Sequence, residues 1–193
     1  IKQELVDRGL AAYEEAGIKA HGYVCDVTNE DAVNELVAKI EAEVGVIDIL
    51  VNNAGIIKRI PMCEMTAAQF RQVIDVDLNA PFIVAKAVIP SMIKKGHGKI
   101  INIASMLSYQ GGIRVPAYAA SKSAVLGLTK SLSNEWASKN IQVNAIAPGY
   151  MATNNTANLQ KDEERSEEIL SRIPAGRWGT PEDLTGTAVY LAS

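Results

Sequence analysis

The segment "VPAYAASKSAV" places a tyrosine and a lysine four residues apart, at Tyr118 and Lys122. On a helix this spacing puts both side chains on one face, one turn apart. A free phenol has a pKa of about 10, and a neighbouring ammonium favours the phenolate. The pair is therefore suited to general acid–base chemistry near neutral pH. The same spacing also suits two polar residues on a solvated face, so the surrounding sequence must decide.

Four apolar runs typical of buried strands end in polar or turn residues. The four ends are "CDV", "VNNAG", "IAS" and "IAPG". Taken singly, each is typical of an ordinary turn. The carboxyl ends of parallel strands meet at one edge of a sheet, where ligands bind. The set therefore predicts a site, and it contributes Asp26, Asn52, Asn53, Gly55, Ser105, Pro148 and Gly149.

The elements that must position these residues alternate between strand and helix, which predicts an α/β fold with a parallel sheet covered by helices. The predicted strands are "AHGYVCDV", "VIDILVNNAG", "GKIINIAS" and "IQVNAIAPG". Capping boxes at Thr28–Asp31 and Thr66–Gln69 open two of the helices, the second a long one with Pro81 and Pro90. A helix over about 117–139 carries Tyr118 and Lys122. Segment 160–171 is interpreted as a charged, mobile surface helix, and the last helix has Thr180 as its N-cap.

Composition argues against several classes of protein. Hydrophobic residues make up 48% and charged residues 21%, as in globular domains, and the net charge of −3 offers no basic surface for nucleic acid. No apolar run is expected to be long enough to cross a bilayer, and the first helix lacks the apolar core of a signal peptide. Cys25 and Cys63 are expected to be free thiols, which predicts a reducing, cytoplasmic location. His21 and His97 are far apart in loop-like contexts, so no metal site is predicted.

The motifs "NNAG" at 52–55, Ser105, "YAASK" at 118–122 and "PGYMAT" at 148–153 occur in a specific order and spacing. With them, the chain resembles the short-chain dehydrogenase/reductase family over essentially its whole length. The resemblance implies a Rossmann-type doubly wound parallel sheet in three α/β/α layers, NAD or NADP as cofactor, and a homotetramer. Residues 1–193 would form a single, incomplete dinucleotide-binding domain. It would lack the first two strands, the last strand and the Gly-rich pyrophosphate turn, and omitted flanks are the favoured explanation.

The resemblance also implies roles for individual residues. Tyr118 would be the general acid and base, Ser105 would hold the substrate carbonyl, and Lys122 would bind the nicotinamide ribose. Asp77 stands where the family often has an Asn that helps to hold a proton-relay water, and Asn79 lies nearly on the opposite helix face. The residues expected to contact the cofactor are Asp26, Val27, Asn53, Ala54, Gly55, Tyr118, Lys122, Pro148, Gly149 and Thr153.

The first half of the chain resembles gluconate 5-dehydrogenases, and the second half resembles 2-deoxy-D-gluconate 3-dehydrogenases, also called 2-dehydro-3-deoxy-D-gluconate 5-dehydrogenases. Both halves imply a sugar-acid substrate, which needs a cation for its carboxylate. Arg114 is predicted to supply it, with Gln110 as a hydroxyl partner, although Arg114 also suits a solvated loop. Arg59 and Lys58 are weaker candidates.

Two other interpretations stay open at this point. One is a catalytically silent fragment or oligomerisation scaffold. The other is a short-chain reductase of another ketone class, such as a steroid or an acyl thioester.

Overall fold

The structure is a computed structural model that describes residues 2–193. Its sheet has three parallel strands in the order β1, β2, β3, which are Ile49–Asn52, Gly98–Ile103 and Ile141–Ile146. Ile49 pairs with Lys99, and Gly98 pairs with Ile141. The predicted parallel α/β sheet with helices on both sides is confirmed. The carboxyl ends of all three strands consequently lie at one edge.

Eight α-helices are described in the chain. They are α1 (Gln3–Glu15), α2 (Glu30–Glu43), α3 (Ala67–Ile74), α4 (Ala80–Lys95), α5 (Pro116–Trp136), α6 (Ala157–Lys161), α7 (Glu163–Ser171) and α8 (Glu182–Ala192). A π-helical turn, Asp75–Asn79, joins α3 to α4. Short 3-10 turns cover Met106–Ser108, Ala137–Lys139 and Asn154–Thr156.

The main core lies where α2, α4 and α5 pack together with β2 and β3. Met92 from α4 and Ile100 from β2 are both 0% exposed. Burying a side chain of this size contributes about 1.5–3 kcal/mol to folding. These side chains consequently hold α4 against β2.

A chain of polar side chains, half-buried at Asn52 and buried at Asn102 and Thr129, links β1, β2 and α5 below the strand ends. The Asn52 amide donates to Asn102 Oδ1 over 2.9 Å, and the Asn102 amide donates to Thr129 Oγ1 over 2.9 Å. Thr129 in turn donates to the Val125 carbonyl. Because buried amides need partners, these bonds fix the register between the sheet and the helix. Asn52 therefore acts within the fold.

The predicted strand at "AHGYVCDV" is wrong. Residues 18–26 form no ladder in the structure, because a strand exists only through hydrogen bonds to a neighbouring strand. The outer edge of β1 is also unpaired among residues 2–193, and Ile49 and Val51 on it are 44% and 51% exposed. Cys25, within residues 18–26, is buried, and Cys63 is exposed.

Helix boundaries differ from prediction at two N-termini. Asn29, not Thr28, caps α2 by accepting from the Ala32 N–H over 3.0 Å. The Thr28 hydroxyl instead donates to Asp26 and takes part in the turn that precedes the helix. The capping box of Thr66 and Gln69 is confirmed. In the last helix the N-cap is Pro181 instead of Thr180.

Judged by length and composition only, the helical region over 67–95 is long and apolar enough to cross a membrane. The expectation that the chain has no such segment is therefore wrong. Its apolar side chains nevertheless include Val73, Val88 and Met92, which are buried in the protein core. Near its middle the π-helical turn carries Asp77, which is 0% exposed. Such turns widen a helix locally and are frequent at functional sites.

The charged segment 160–171 divides between α6 and α7. Its interpretation as only a surface element is incomplete, because Ile169 on α7 is 1% exposed. Tyr150 and Trp178 make an edge-to-face contact with ring centroids 5.5 Å apart, and Gly179 donates to the Tyr150 carbonyl. The segment over 150–179 is thereby attached beside the end of β3.

Candidate active site

A cavity of about 210 Å³ opens at the carboxyl ends of the three strands. It is bounded by the segments that follow each strand and by the first turns of α5. Eight residues of the predicted site line it: Asn53, Gly55, Ser105, Gln110, Tyr118, Lys122, Pro148 and Gly149. The sequence prediction of a site at this edge of the sheet thus corresponds to a real concavity.

Ser105 lies in the cavity wall immediately after β2, with extended backbone. Its Oγ accepts a hydrogen bond from the Leu107 N–H over 3.1 Å, which caps the 3-10 turn of Met106–Ser108. The capping fixes the side-chain rotamer while leaving the hydroxyl hydrogen available to another acceptor.

Ser108 connects Ser105 to the helix that carries the Tyr–Lys pair. Its hydroxyl accepts from the Ser105 N–H over 3.2 Å and donates to the Lys122 carbonyl over 2.7 Å. These two bonds hold the end of β2 and the first half of α5 at a fixed separation. No sequence motif marks Ser108, and only the folded geometry gives it this role.

Tyr118 projects from the first turn of α5 beside Ser105. Burial raises the pKa of its phenol, while the nearby Ser105 hydroxyl lowers it. Asp77 raises this pKa further, and Arg59 opposes that effect. The pKa of Tyr118 in the protein alone is therefore raised, opposite to the lowered pKa that the sequence predicted, because desolvation is the largest effect.

Lys122 lies beneath Tyr118 and is 5% exposed. Its Nζ donates to the carbonyl of Ile103 over 2.7 Å and lies 5.6 Å from the centre of the Tyr118 ring. Burial lowers the pKa of Lys122, and the negative charge of Asp77 raises it in opposition. The ammonium is thus directed toward the carbonyl end of β2 and toward Asp77.

Asp77 is the third ionisable group of this cluster. Its Oδ1 accepts from the Ile56 N–H over 2.8 Å, and its Oδ2 lies 3.9 Å from Lys122 Nζ without a hydrogen-bond partner among residues 2–193. Burial raises the pKa of this carboxyl, against the effects of the Ile56 N–H and Lys122. Asp77 does not line the cavity, but it contacts Ile56 and Lys122, which do.

The other predicted residues do not line the cavity in the structure. These are Asp26, Val27, Ala54, Arg114 and Thr153. Asp26 instead accepts two hydrogen bonds from Thr28, which lower the pKa of its carboxyl and close a local turn. Arg114 has a left-handed backbone, φ 61°, and its carbonyl accepts from the Ile60 N–H over 2.8 Å. Its main contribution within the described chain is to the loop backbone.

Arg59 lines the cavity, although sequence reasoning ranked it below Arg114. The bond between Ile60 and Arg114 brings the loop after β1 beside the loop before α5, and this pairing is not visible in sequence. Tyr150, Asn155 and Thr156 also line the cavity and were missed. Their only signal was their position after "IAPG", within a segment whose path a single sequence does not reveal.

Together these groups can bind an oxygen atom and move a proton. Two hydroxyls, from Ser105 and Tyr118, face a cavity that also contains one guanidinium, from Arg59. The phenol can donate a hydrogen bond or a proton, and the guanidinium can hold a carboxylate. The arrangement fits acid–base chemistry on a small oxygenated anion.

Comparisons with known proteins agree on the kind of protein. A family model described as "Enoyl-(Acyl carrier protein) reductase", of the adh_short_C2 group, matches residues 2–193. A 2-dehydro-3-deoxy-D-gluconate 5-dehydrogenase of Formosa agariphila is 51% identical over 192 residues, which cover 99% of this chain and 73% of the relative. The enzyme of the same name from Dickeya dadantii is 61% identical over 159 residues, or 82% of this chain and 63% of the relative. The chain therefore spans about two thirds to three quarters of the length of these relatives.

A solved structure adds a ligand-bound example. The gluconate 5-dehydrogenase of Burkholderia cenocepacia, in complex with NADP and tartrate, superposes with a TM-score of 0.94 at 40% identity. The match covers 100% of this chain and 75% of that protein. The similarity thus extends through every element that surrounds the cavity.

Proposed function

We propose that this chain, which belongs to the short-chain dehydrogenase/reductase family, is part of an NAD- or NADP-dependent oxidoreductase. The proposed reaction interconverts a secondary alcohol and a ketone. Its substrate is a sugar acid of the gluconate or deoxygluconate type. The observation that carries the proposal is the convergence of Ser105, Tyr118 and Arg59 on one cavity, with Lys122 beneath them. The relatives named as gluconate and deoxygluconate dehydrogenases support the substrate class.

The residues of the cavity fit the nicotinamide end of such a cofactor. Gly55 and Gly149 leave backbone exposed beside Tyr118 and Lys122, so a flat ring can approach without meeting side chains. Asn53, Pro148 and Lys122 would border the ring and its ribose. A bound cofactor would supply the hydride acceptor or donor. Within residues 2–193 no Gly-rich turn joins a strand to a helix, so the fit concerns this half of the cofactor only.

Proton transfer is assigned to Tyr118. In the reducing direction its phenol donates a proton to the substrate oxygen, and in the oxidising direction the phenolate removes the proton of the alcohol. Ser105 donates a hydrogen bond to the same oxygen and stabilises negative charge as it develops there. Lys122 holds the end of β2 through Ile103 and supplies positive charge near the phenolate.

Substrate orientation is assigned to Arg59, with Gln110 and Asn155 as partners for sugar hydroxyls. An Arg guanidinium forms a two-pronged bond with a carboxylate, which fixes one end of the substrate relative to Tyr118. Arg114, the residue that the sequence favoured, is an alternative that would require its side chain to turn toward the cavity. The two arginines can be separated by substitution.

The experiment is a substrate panel for the wild type and for Arg59→Ala, Arg114→Ala and Arg71→Ala. We expect NAD(P)-dependent turnover of gluconate-type acids, with KM raised at least tenfold by Arg59→Ala because a carboxylate contact is lost. Arg71, exposed on α3, is the matched control and should leave KM unchanged. Turnover of apolar ketones alone, with no effect of Arg59→Ala, would instead favour the reductase of another ketone class, for which Ile56, Ile57 and Leu107 supply an apolar wall.

The location and assembly of the protein are part of the same proposal. The two free thiols, Cys25 and Cys63, suit a reducing compartment such as the cytoplasm. The homotetramer that the family resemblance implies stays a prediction, and light scattering coupled to size-exclusion chromatography tests it.

A further inference from the structure

Asp77 places a negative charge where the proposed mechanism gives it no task. The side chain is 0% exposed and lies on the π-helical turn between α3 and α4. A carboxylate in the interior is costly unless it is paired and hydrogen-bonded. One oxygen satisfies this requirement through the Ile56 N–H, but Oδ2 has no hydrogen-bond partner among residues 2–193.

The unpartnered oxygen faces the ammonium of Lys122 at 3.9 Å. This separation is too long for a hydrogen bond but short enough for strong attraction between charges in a buried setting. The ammonium already donates to Ile103 over 2.7 Å, so its position does not depend on Asp77 alone. The contact is therefore chiefly electrostatic.

We propose that Asp77 is a positioning residue that compensates the charge of Lys122 and thereby sets the pH at which Tyr118 exchanges its proton. This inference rests on the proposed function, in which Tyr118 moves the proton. An ammonium paired with a carboxylate favours the phenolate less than a lone ammonium does, because the two opposite charges largely cancel at the phenol. A carboxylate in this place keeps the phenol protonated to higher pH than a neutral side chain would.

Few charges compete with this effect. The ionisable groups whose charges act on Tyr118 or Lys122 in the described chain are Asp77 from the π-helical turn and Arg59 from the loop after β1. Arg59 and Asp77 act in opposite directions on the phenol. Removing the charge of Asp77 should therefore leave two cations, Arg59 and Lys122, as the charged groups near the phenol and favour the phenolate.

The substitution Asp77→Asn tests this without a large change in shape. An amide oxygen can still accept from the Ile56 N–H, so the loop that carries Gly55 and Ile56 keeps its anchor. Asp75→Asn is the matched control, because Asp75 lies on the same turn, loses the same charge and is exposed. A purely structural role of Asp77 would change activity at all pH values without moving the pH profile.

Two readouts separate this inference from the proposed function. The first is the pH profile of kcat/KM for alcohol oxidation. We expect its acidic midpoint to fall by about one pH unit in Asp77→Asn and to stay in place in Asp75→Asn. The second needs neither substrate nor cofactor. It is a titration of phenolate absorbance as the pH is raised. The absorbance of each protein that carries Tyr118→Phe in addition is subtracted from that of its parent, so that only Tyr118 contributes to the difference.

The expected result of the second readout is a Tyr118 signal that appears at lower pH in Asp77→Asn than in the wild type. Circular dichroism at each pH confirms that the compared proteins are folded. The inference would be overturned if Tyr118 titrated at the same pH in the wild type and in Asp77→Asn, or if neither protein showed a Tyr118 signal before it unfolded. It would also be overturned if Asp75→Asn shifted the titration of Tyr118 as much as Asp77→Asn does. If the substrate panel shows no turnover, the proposed function fails while this titration still decides the electrostatic claim.

Discussion

Lys122 Nζ donates to the carbonyl oxygen of Ile103 over 2.7 Å, so the helix that carries Tyr118 is tied to the strand that leads to Ser105. The bond lies in the interior, where Lys122 is 5% exposed. A hydrogen bond from a charged group is stronger than one between neutral groups. The relative placement of the two hydroxyls in the cavity therefore depends on this lysine as well as on the chain connection.

Replacing Lys122 by Met should destabilise the protein and remove activity. The Ile103 carbonyl loses its partner and Asp77 loses its counter-charge, and one unsatisfied buried group alone costs about 1–3 kcal/mol. Chemical denaturation measures the free energy of unfolding. Lys130→Met on an exposed position of the same helix is the control, and equal stabilities for the two variants would contradict this reading of the bond.

Replacing Ser108 by Ala should lower kcat with little change in KM. The hydroxyl joins the Ser105 backbone to the Lys122 carbonyl, and its loss lets Ser105 shift relative to Tyr118. We expect a fall in kcat of about 3- to 30-fold, since small misplacements of reacting groups are costly. Ser123→Ala, which removes only a 3.3 Å bond to the Ser108 carbonyl, should have a smaller effect. Steady-state kinetics compares the two, and the reverse order would exclude this role for Ser108.

The stability of the protein should depend on the ionisation of Asp77. Burial raises the pKa of its carboxyl in the folded state, whereas an unfolded Asp titrates at about 3.9. Between these values the folded state binds more protons, so the contribution of this group is most favourable at acidic pH and is lost as the pH rises through the raised pKa. Asp77→Asn lacks this dependence.

The free energy of unfolding of the wild type, relative to that of Asp77→Asn, should therefore fall as the pH rises above about 4, where an unfolded Asp titrates. Denaturation curves for both proteins across this range provide the measurement. A constant or rising difference would show that burial does not raise the pKa of Asp77. Asp75→Asn reports any general effect of removing a charge from this turn.

A glycine substitution in β2 tests the packing of this strand against α4, and one in α5 is the comparison. A Cβ at Gly98 would lie 2.5 Å from the sulfur of Met92 and 2.7 Å from its Cγ. Because Met92 is 0% exposed, overpacking by Gly98→Ala should cost about 1–3 kcal/mol. At Gly127, within α5, a Cβ meets nothing within 4 Å, so Gly127→Ala should stabilise by about 0.5–1 kcal/mol. Thermal or chemical denaturation that ranked the two substitutions in the opposite order would contradict the packing described.

The strands and the Tyr–Lys pair could be predicted because their signals are local. The apolar runs of β2 and β3 and the spacing of Tyr118 and Lys122 depend on nearby residues only. The strand over 20–27 was wrong because a strand needs partners, which its own residues do not specify. The preference for Arg114 over Arg59 was not supported for a similar reason, since the contact between Ile60 and Arg114 joins two distant loops.

The pKa of Tyr118 shows the same limit in electrostatic terms. The four-residue spacing correctly places Lys122 near the phenol, with its Nζ 5.6 Å from the ring centre. The spacing does not reveal the burial of both groups or the negative charge of Asp77, which together reverse the expected direction. These effects come from elements more than 40 residues apart in sequence and exist only after folding.

The central claim is that Tyr118 transfers the proton in an NAD(P)-dependent reaction of a sugar acid. The most direct test is kcat for a gluconate-type substrate in the wild type and in Tyr118→Phe, with the free energy of unfolding measured on the same samples. We expect kcat to fall by about 10²- to 10⁴-fold while the free energy of unfolding changes little. Turnover of Tyr118→Phe within a few-fold of the wild type would contradict the central claim.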